Sequence, residues 1–430
     1  MRMGRKTARK AVALLSLITA VTTLNGCAKE VAMAKEPGQM VAQTQEAADY
    51  PTADEANGTL AQGVNRFAFE MAGYLETDSN YFFSPYSLAS ALTLLGNAAG
   101  GETKAQVDGI LGIRDMADWN MQFGFYNAQE QPQDAYLTSA NSLWFDLEFE
   151  PYDALYEEYI PLVDYYYGAE LFYADFRNQP QETLTQINDW VSGHTDGMIT
   201  DFMQNVNADT VMAMINAVYF YGEWTYPFEA IDTREDTFYG QSGDTTVSMM
   251  HAGDLQLPYY EAHGLRGISL PYGENQDKVM NILIPADGES RSTAELFANL
   301  TPEEQNGLLT ALTEADPQII LTLSMPKFEM TYTINSLTEI LMQMGMIDAF
   351  GFSAEFPMLG NVYVSNAIHK AKIEVDELGS RAAAATGFEF DLMSLAPPVG
   401  EVFHVNHPFL FFIQDAETGM ILFMGQVSNL

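Results

Sequence analysis

The chain is 430 residues long and carries 58 acidic against 19 basic side chains, a formal net charge of −39. That balance excludes a nucleic-acid backbone as a natural partner, because binding phosphates needs a basic face. Hydrophobic residues at 47% and aromatics at 12% exclude disorder and supply a large core, while a single cysteine, Cys27, excludes an internal disulfide framework and a cysteine-cluster metal site.

In chain order, the first element is a targeting segment. Residues 1–26 hold Arg2, Arg5, Lys6, Arg9 and Lys10 and no acid, so without them 14 basic residues face 58 acidic ones, a balance of −44. Residues 11–24 carry no charge, a run short of the roughly 20 apolar residues that span a bilayer. A basic start, a short apolar run and a small-residue end read as a secretory signal peptide. That end, Leu24-Asn25-Gly26-Cys27, resembles the bacterial lipobox, in which the cysteine sulfur receives a diacylglyceryl group. The alternative is a plain signal with a chance cysteine. The lipobox resemblance implies Cys27 as the lipid attachment, and an extracytoplasmic, secreted chain anchored to a bacterial cell membrane. Residues 27–59 are rich in Ala, Gln, Glu and Lys, with Tyr50 the only aromatic, and read as a flexible tether.

From residue 60 to 430 a folded region is expected. Val64, Phe67, Met71, Tyr74 and Leu75 recur at helical spacing. Ser84-Pro85 supplies an N-cap and a proline at the first helical position, opening a helix through Leu95. Leu184, Ile187, Trp190 and Val191 mark a further helix, closed near Gly193. Residues 211–220 are apolar apart from Asn216, the pattern of a strand covered on both faces. Residues 279–284 and 371–375 read as strands, and Leu321, Leu323 and Met325 alternate with Thr322 and Ser324 as in a half-buried strand. Residues 409–413 and 421–424, joined by Asp415-Ala416-Glu417-Thr418-Gly419, read as a hairpin. No fixed-period repeat or second linker interrupts the region, so the reading is one α+β domain.

Catalytic motifs are missing. The chain has no GxSxG elbow, HExxH, P-loop or GxGxxG. Its six histidines are scattered, and His404 and His407, three apart in an extended chain, are expected on opposite faces, a poor chelate. The expectation is therefore no enzyme, no metal and no cofactor. The segment Gly379-Ser380-Arg381-Ala382-Ala383-Ala384-Ala385-Thr386-Gly387 admits two readings. It is either one exposed helical turn in a connection or a segment that later fits a tight slot. As a strand it would put the small residues Ser380, Ala382, Ala384 and Thr386 on one face, with Arg381 turned outward.

Residues 376–387, beginning Asp376-Glu377-Leu378, resemble the hinge of an inhibitory serpin. Collinear matches cover the chain from about residue 60 to its end. They include Tyr81-Phe82-Phe83-Ser84-Pro85-Tyr86-Ser87-Leu88, Asn216-Ala217-Val218-Tyr219-Phe220-Tyr221-Gly222-Glu223-Trp224 and Met325-Pro326-Lys327-Phe328. Further on come Val364-Ser365-Asn366-Ala367-Ile368-His369-Lys370-Ala371, Asn406-His407-Pro408-Phe409 and Leu422-Phe423-Met424-Gly425. The resemblance implies an α+β serpin fold, with a five-stranded central sheet, two smaller sheets, about nine helices and an exposed reactive-centre loop near residues 377–400. It implies a serine-type endopeptidase inhibitor acting as a suicide substrate, monomeric, in a covalent 1:1 complex with its target protease.

The family's hinge-to-bond spacing puts the reactive bond at Met393-Ser394, with Leu392 the next candidate. An apolar residue there suits chymotrypsin-, elastase- or subtilisin-like pockets. The implied hinge residues are Glu377, Gly379, Ser380, Ala382, Ala383, Ala384, Ala385 and Thr386. Ser84, Ser87, Asn216 and His369 match the shutter, with His369 an expected partner for Asn216, and Trp224 matches the breach. Leu378 and Arg381 stand where inhibitory relatives usually carry acids, which implies slower insertion. Few basic groups lie between Gly112 and Leu137, so a heparin-like polyanion is not expected. The alternative within the family is a non-inhibitory serpin acting as a surface binding or adhesion protein.

Overall fold

The computed structural model describes residues 35–41 and 58–430, apart from 77, 130, 151, 366 and 381–399. Helix α1 (Thr59–Ala72) buries Val64, Phe67 and Met71 and stops at Gly73, so Tyr74, expected on the same stripe, lies outside the helix and 40% exposed. A short strand β1 (Tyr81–Phe83) leads into α2 (Pro85–Ala98). There the Ser84 side chain accepts a hydrogen bond from the Ser87 amide and Pro85 occupies the first turn, the cap read from sequence. Helices α3 (Gly101–Leu111) and α4 (Met116–Ala128) follow, then the long strand β2 (Ala135–Asp146), helix α5 (Ile160–Tyr167) and β3 (Glu170–Ala174). Helix α6 (Pro180–His194) runs through Gly193 rather than closing on it, and leads to β4 (Met212–Glu223).

The strands β5 (Arg234–Gly240) and β6 (Gly243–Ala252) form a hairpin, and β7 (Leu255–Ala262), β8 (Leu265–Tyr272) and β9 (Lys278–Pro285) form a meander. Helices α7 (Thr293–Ala298) and α8 (Pro302–Thr313) both open on capping boxes, Ser292 with Glu295 and Thr301 with Glu304. Then come β10 (Pro317–Pro326), β11 (Phe328–Ile334), α9 (Leu337–Gln343), β12 (Ala367–Val375) and the two-residue β13 (Gly379–Ser380). The chain ends with β14 (Glu401–His404), β15 (Phe409–Asp415) and β16 (Ile421–Val427), the last two forming the expected hairpin.

One sheet runs β11-β12-β13-β4-β2-β3, five full strands with β13 wedged in the middle. The two smaller sheets are joined along β10, whose residues 317–320 pair with β7 while 323–326 pair with β6. The architecture is the expected α+β serpin fold, with nine α-helices among the described residues.

Strand β4 is covered on both faces, as its continuous apolar run requires. Met214, Val218 and Phe220 join the large core shared with α1, α2, β15 and β16. Ile215 and Ala217 join a second cluster, with Trp144, Ile187 and Val191, beneath α6. Asn216 belongs by parity to the α2 face, and that places the functional polar groups.

Residues 36–430 form one compact unit. Within it, residues 38–41 of the stretch read as tether lie along the edge strand β3. The Gly38 and Val41 amides donate to the Tyr173 and Leu171 carbonyls at 2.7 and 2.8 Å, and the Tyr173 amide donates to Gln39 at 2.9 Å. Among the described residues no helix is long and apolar enough to cross a membrane.

Candidate functional site along the seam of the central sheet

Strands β4 and β12 are parallel neighbours, and they pair directly only where residues 214–217 meet 367–370. At the far end of the seam β13 stands between them. Gly379 and Ser380 pair antiparallel with Glu223 and Gly222 of β4, and Ser380 pairs with Val375 of β12. Two residues of the expected hinge, Gly379 and Ser380, thus lie within the sheet. Gly379 is required there. Its φ is +154°, and a Cβ would lie 2.0 Å from the Gly222 carbonyl oxygen. Ser380 is 2% exposed, and its hydroxyl lies 2.7 Å from that of Tyr272.

Around this entry the side chains form a bracket. Trp224 stacks on Tyr272, with ring centroids 4.4 Å apart and planes 13° from parallel. Its indole N–H donates to the Asp376 carbonyl at 3.0 Å, and its amide donates to Leu378 at 2.8 Å. The Glu377 carboxylate accepts from Lys327 Nζ at 2.6 Å and from Thr233 Oγ1 at 2.8 Å, while its carbonyl accepts from the Phe228 amide. Burial alone would raise the Glu377 carboxyl, but the hydrogen bonds from Lys327, its own amide and Thr233 hold it below the ordinary range. Leu378 is only partly buried, and its amide is tied to the Asp376 carboxylate at 2.9 Å.

Where β4 and β12 pair directly, a buried polar chain crosses beneath them. The Ser87 hydroxyl donates to Asn216 Oδ1 at 2.6 Å, Asn216 Nδ2 donates to Asn141 Oδ1 at 2.8 Å, and Asn141 Nδ2 donates to Ser90 Oγ at 3.1 Å. Ser139 Oγ lies 3.4 Å from Ser87 Oγ. The Ser84 hydroxyl donates to the Leu422 carbonyl at 2.6 Å, linking α2 to β16. His369 lies opposite Asn216 in the ladder, but their side chains are not partners. Its Nε2 accepts the Ser84 backbone N–H at 3.1 Å, which makes the ring neutral, with its proton on Nδ1. That Nδ1 is buried without a partner, and burial pushes the imidazole down to about 3. Asn216 is satisfied instead by helix α2 and by Asn141 on the neighbouring β2.

The structure thus brings together Ser84, Ser87, Asn216 and His369 at one end of the seam, and Glu377, Gly379, Ser380 and Trp224 at the other. Ala382, Ala383, Ala384, Ala385, Thr386, Leu392, Met393, Ser394 and Cys27 lie outside the described residues. Sequence reading missed Asn141, Ser90, Lys327, Thr233 and Tyr272 as partners. Lys327 sits inside a quoted motif, but its pairing across 50 residues leaves no local trace. Among the described residues no three His, Cys, Asp or Glu side chains converge as a metal site.

Residues 62–430 match the family described as serpin (serine protease inhibitor). An uncharacterized serpin-like protein of Thermococcus kodakarensis is 32% identical over 382 residues, covering 86% of this chain and 85% of its own. A serine protease inhibitor of Cyanea capillata is 30% identical over 363 residues, covering 82% and 93%. The crystal structure of the thermophilic serpin tengpin in the native state superposes with a TM-score of 0.79 at 29% identity, covering 92% of this chain and all of that one. The latent state of tengpin gives 0.72. Sequence and fold agree across the described region from α1 to the C-terminus, and the chain belongs to the serpin family.

Proposed function

We propose that the chain inhibits serine proteases as a suicide substrate, cleaved at Met393-Ser394 and held outside the cell by a lipid on Cys27. The observation that carries this reading is β13, with Gly379 and Ser380 of the hinge already laddered between β4 and β12. A target serine attacks the Met393 carbonyl, the Ser394 amine leaves, and an acyl-enzyme ester remains. Freed at that end, the loop continues the strand that Gly379 and Ser380 begin. This is strand addition to an existing sheet, of which serpin loop insertion is a recognised instance. Residues 380–393 at about 3.3 Å each carry the bound protease roughly 45 Å, distorting its active site before the ester hydrolyses. Ser380, a small side chain that sits against Tyr272, supports this reading. Ala382, Ala384 and Thr386 share its parity and are likewise small. Methionine before the bond suits the apolar primary pockets of chymotrypsin-, elastase- and subtilisin-like enzymes.

The test mixes the chain with chymotrypsin, pancreatic elastase and subtilisin and resolves the products on denaturing gels. A denaturant-stable band at the summed mass is expected. Cleavage near Met393 with neither a complex nor a gain in heat stability would instead leave a binding or adhesion protein. Metabolic labelling with a fatty acid, lost in Cys27→Ala, checks the anchor.

A further inference from the structure

A cleft of about 460 Å³ lies between the start of β8, the end of β9, the loop into α7 and the segment after β14, a volume in the range of small-molecule sites. In so acidic a chain its walls are unusual. Arg266, Arg291, His404 and His407 all border it, two of the seven arginines beyond residue 60 and two of the six histidines. The histidines were expected on opposite faces. They share one cleft because β14 ends at His404 and the chain then crosses to β5, where the Tyr239 amide donates to the Asn406 carbonyl and Tyr239 stacks on His407.

Arg266 is the anchor. Its side chain is 14% exposed, and its guanidinium stands 5.7 Å over the Phe403 ring. Its Nε is buried without a partner, and Nη1 reaches the Val402 carbonyl only at 3.5 Å. The counter-ion, Asp287, lies 2.9 Å from Nη2 but is 86% exposed on a loop. A largely desolvated guanidinium is thus neutralised by a carboxylate that remains in water, an arrangement that contributes little and that another anion can replace. Beside it, Glu289 holds Arg291 through bonds of 2.7 and 3.1 Å, and the Arg291 side chain is half exposed. Each imidazole has Nδ1 engaged, His404 with Ser324 Oγ and His407 with Asn406 Oδ1, both at 2.7 Å. Nε2 is left as the remaining polar atom of each ring.

We propose that this cleft binds a small organic anion, a phosphate or carboxylate head on an apolar body. The head takes the place of Asp287 on Arg266, within reach of the imidazoles, and the body rests on Ile284, Pro285 and Pro408. The Arg266–Asp287 and Arg291–Glu289 pairs make the cleft a pocket for one anionic group, not a track for a polyanion. An occupant bridges β8, the β9–α7 loop and β14, the strand that follows the reactive loop, so binding also raises the melting temperature.

The test is calorimetric titration of the full chain at constant ionic strength with phenyl phosphate, benzoate and inorganic phosphate. Saturable binding of phenyl phosphate or benzoate is expected, whichever binds more tightly naming the head group. Asp287→Asn, by removing the competing carboxylate, should tighten it up to about fivefold. Arg266→Gln should weaken it about thirtyfold or more, and Arg291→Gln, at a half-exposed position, gives a second reading should Arg266→Gln fail to fold. No saturable binding of either organic probe to the wild type and Asp287→Asn overturns the proposal. So does weaker binding to Asp287→Asn, or inorganic phosphate binding as tightly as both organic probes.

Discussion

Where residues 214–217 meet 367–370, β4 and β12 pair strand to strand over a buried, uncharged chain of Ser87, Asn216, Asn141 and Ser90. At the other end of the same seam they are held apart by Gly379 and Ser380, and the bracket consists of main-chain carbonyls, a stacked Trp224 and a partly exposed Lys327–Glu377 pair. The first arrangement is expensive to break, because every donor or acceptor left behind is desolvated. The second is inexpensive to rearrange, since water can take over the ion pair and an incoming strand can take over the ladder bonds. One seam thus has an end that opens readily and an end that resists, which suits a loop that enters at the top and is driven downward.

The comparison can be broken first at the hinge. Ser380→Arg forces a long cation into a site 2% exposed against Tyr272, and on the proposed mechanism should leave a chain that is cleaved without trapping the protease. Gels should then show cleaved chain and no covalent complex, and undiminished complex would contradict insertion. Gly379→Val should act in the same direction, because its side chain would collide with the Gly222 backbone.

At the resisting end, Asn216→Leu strands Ser87 and Asn141 together. A loss of about 3 kcal/mol is expected from two buried groups left unpaired, read as an earlier denaturation midpoint by intrinsic fluorescence. A midpoint unchanged from wild type would mean that the polar chain is dispensable.

Acid should sharpen the contrast. His369 is held near 3 in the fold against an ordinary value of 6.5, so below 6.5 the unfolded chain binds a proton that the folded chain refuses. Its stabilising contribution is complete above 6.5 and is lost as pH falls toward 3, at up to about 1.4 kcal/mol per pH unit. Glu377 is also held down, but its contribution is lost only at and below the ordinary carboxylate range. Between pH 6.5 and 4.5 the seam should therefore weaken from the His369 end. His251, lowered by burial and by Arg234, adds to the same window, so the informative experiment compares the wild type with His369→Gln, whose amide oxygen can still accept the Ser84 N–H. The variant should show the flatter stability–pH curve, and identical slopes would remove His369 from the account.

The smallest effect is expected at Lys327→Met. Lys327 is 36% exposed, so loss of its pair with Glu377 should cost less than about 1 kcal/mol. The readout is then kinetic, a faster conversion of the intact chain to an inserted form on warming. A destabilisation as large as that of Asn216→Leu would erase the distinction between the two ends.

Much of this was legible in the sequence because it rests on local rules. The Ser84-Pro85 cap, the continuous apolar run of β4 and the hairpin around residues 415–419 follow from capping, two-sided burial and turn chemistry. Of the segment that admitted either a helical turn or a strand, Gly379 and Ser380 are strand in the fold, and residues 381–387 lie outside the described residues. Partnerships between distant segments were not legible. Asn216 needed a partner, but only the packing of α2 and β2 against β4 assigned Ser87 and Asn141 to it and turned His369 toward Ser84. His404 and His407 were separated by strand parity on paper and brought to one cleft by a chain crossing.

By itself, then, the sequence determined the element types, the acidic balance and the run of small residues from Ala382 to Gly387, because propensity, charge and volume belong to each residue alone. Only the tertiary structure decided which buried polar groups satisfy one another, where the seam is already parted and which charges share a pocket. Those are contacts between residues tens to hundreds of positions apart, selected by how the whole chain packs.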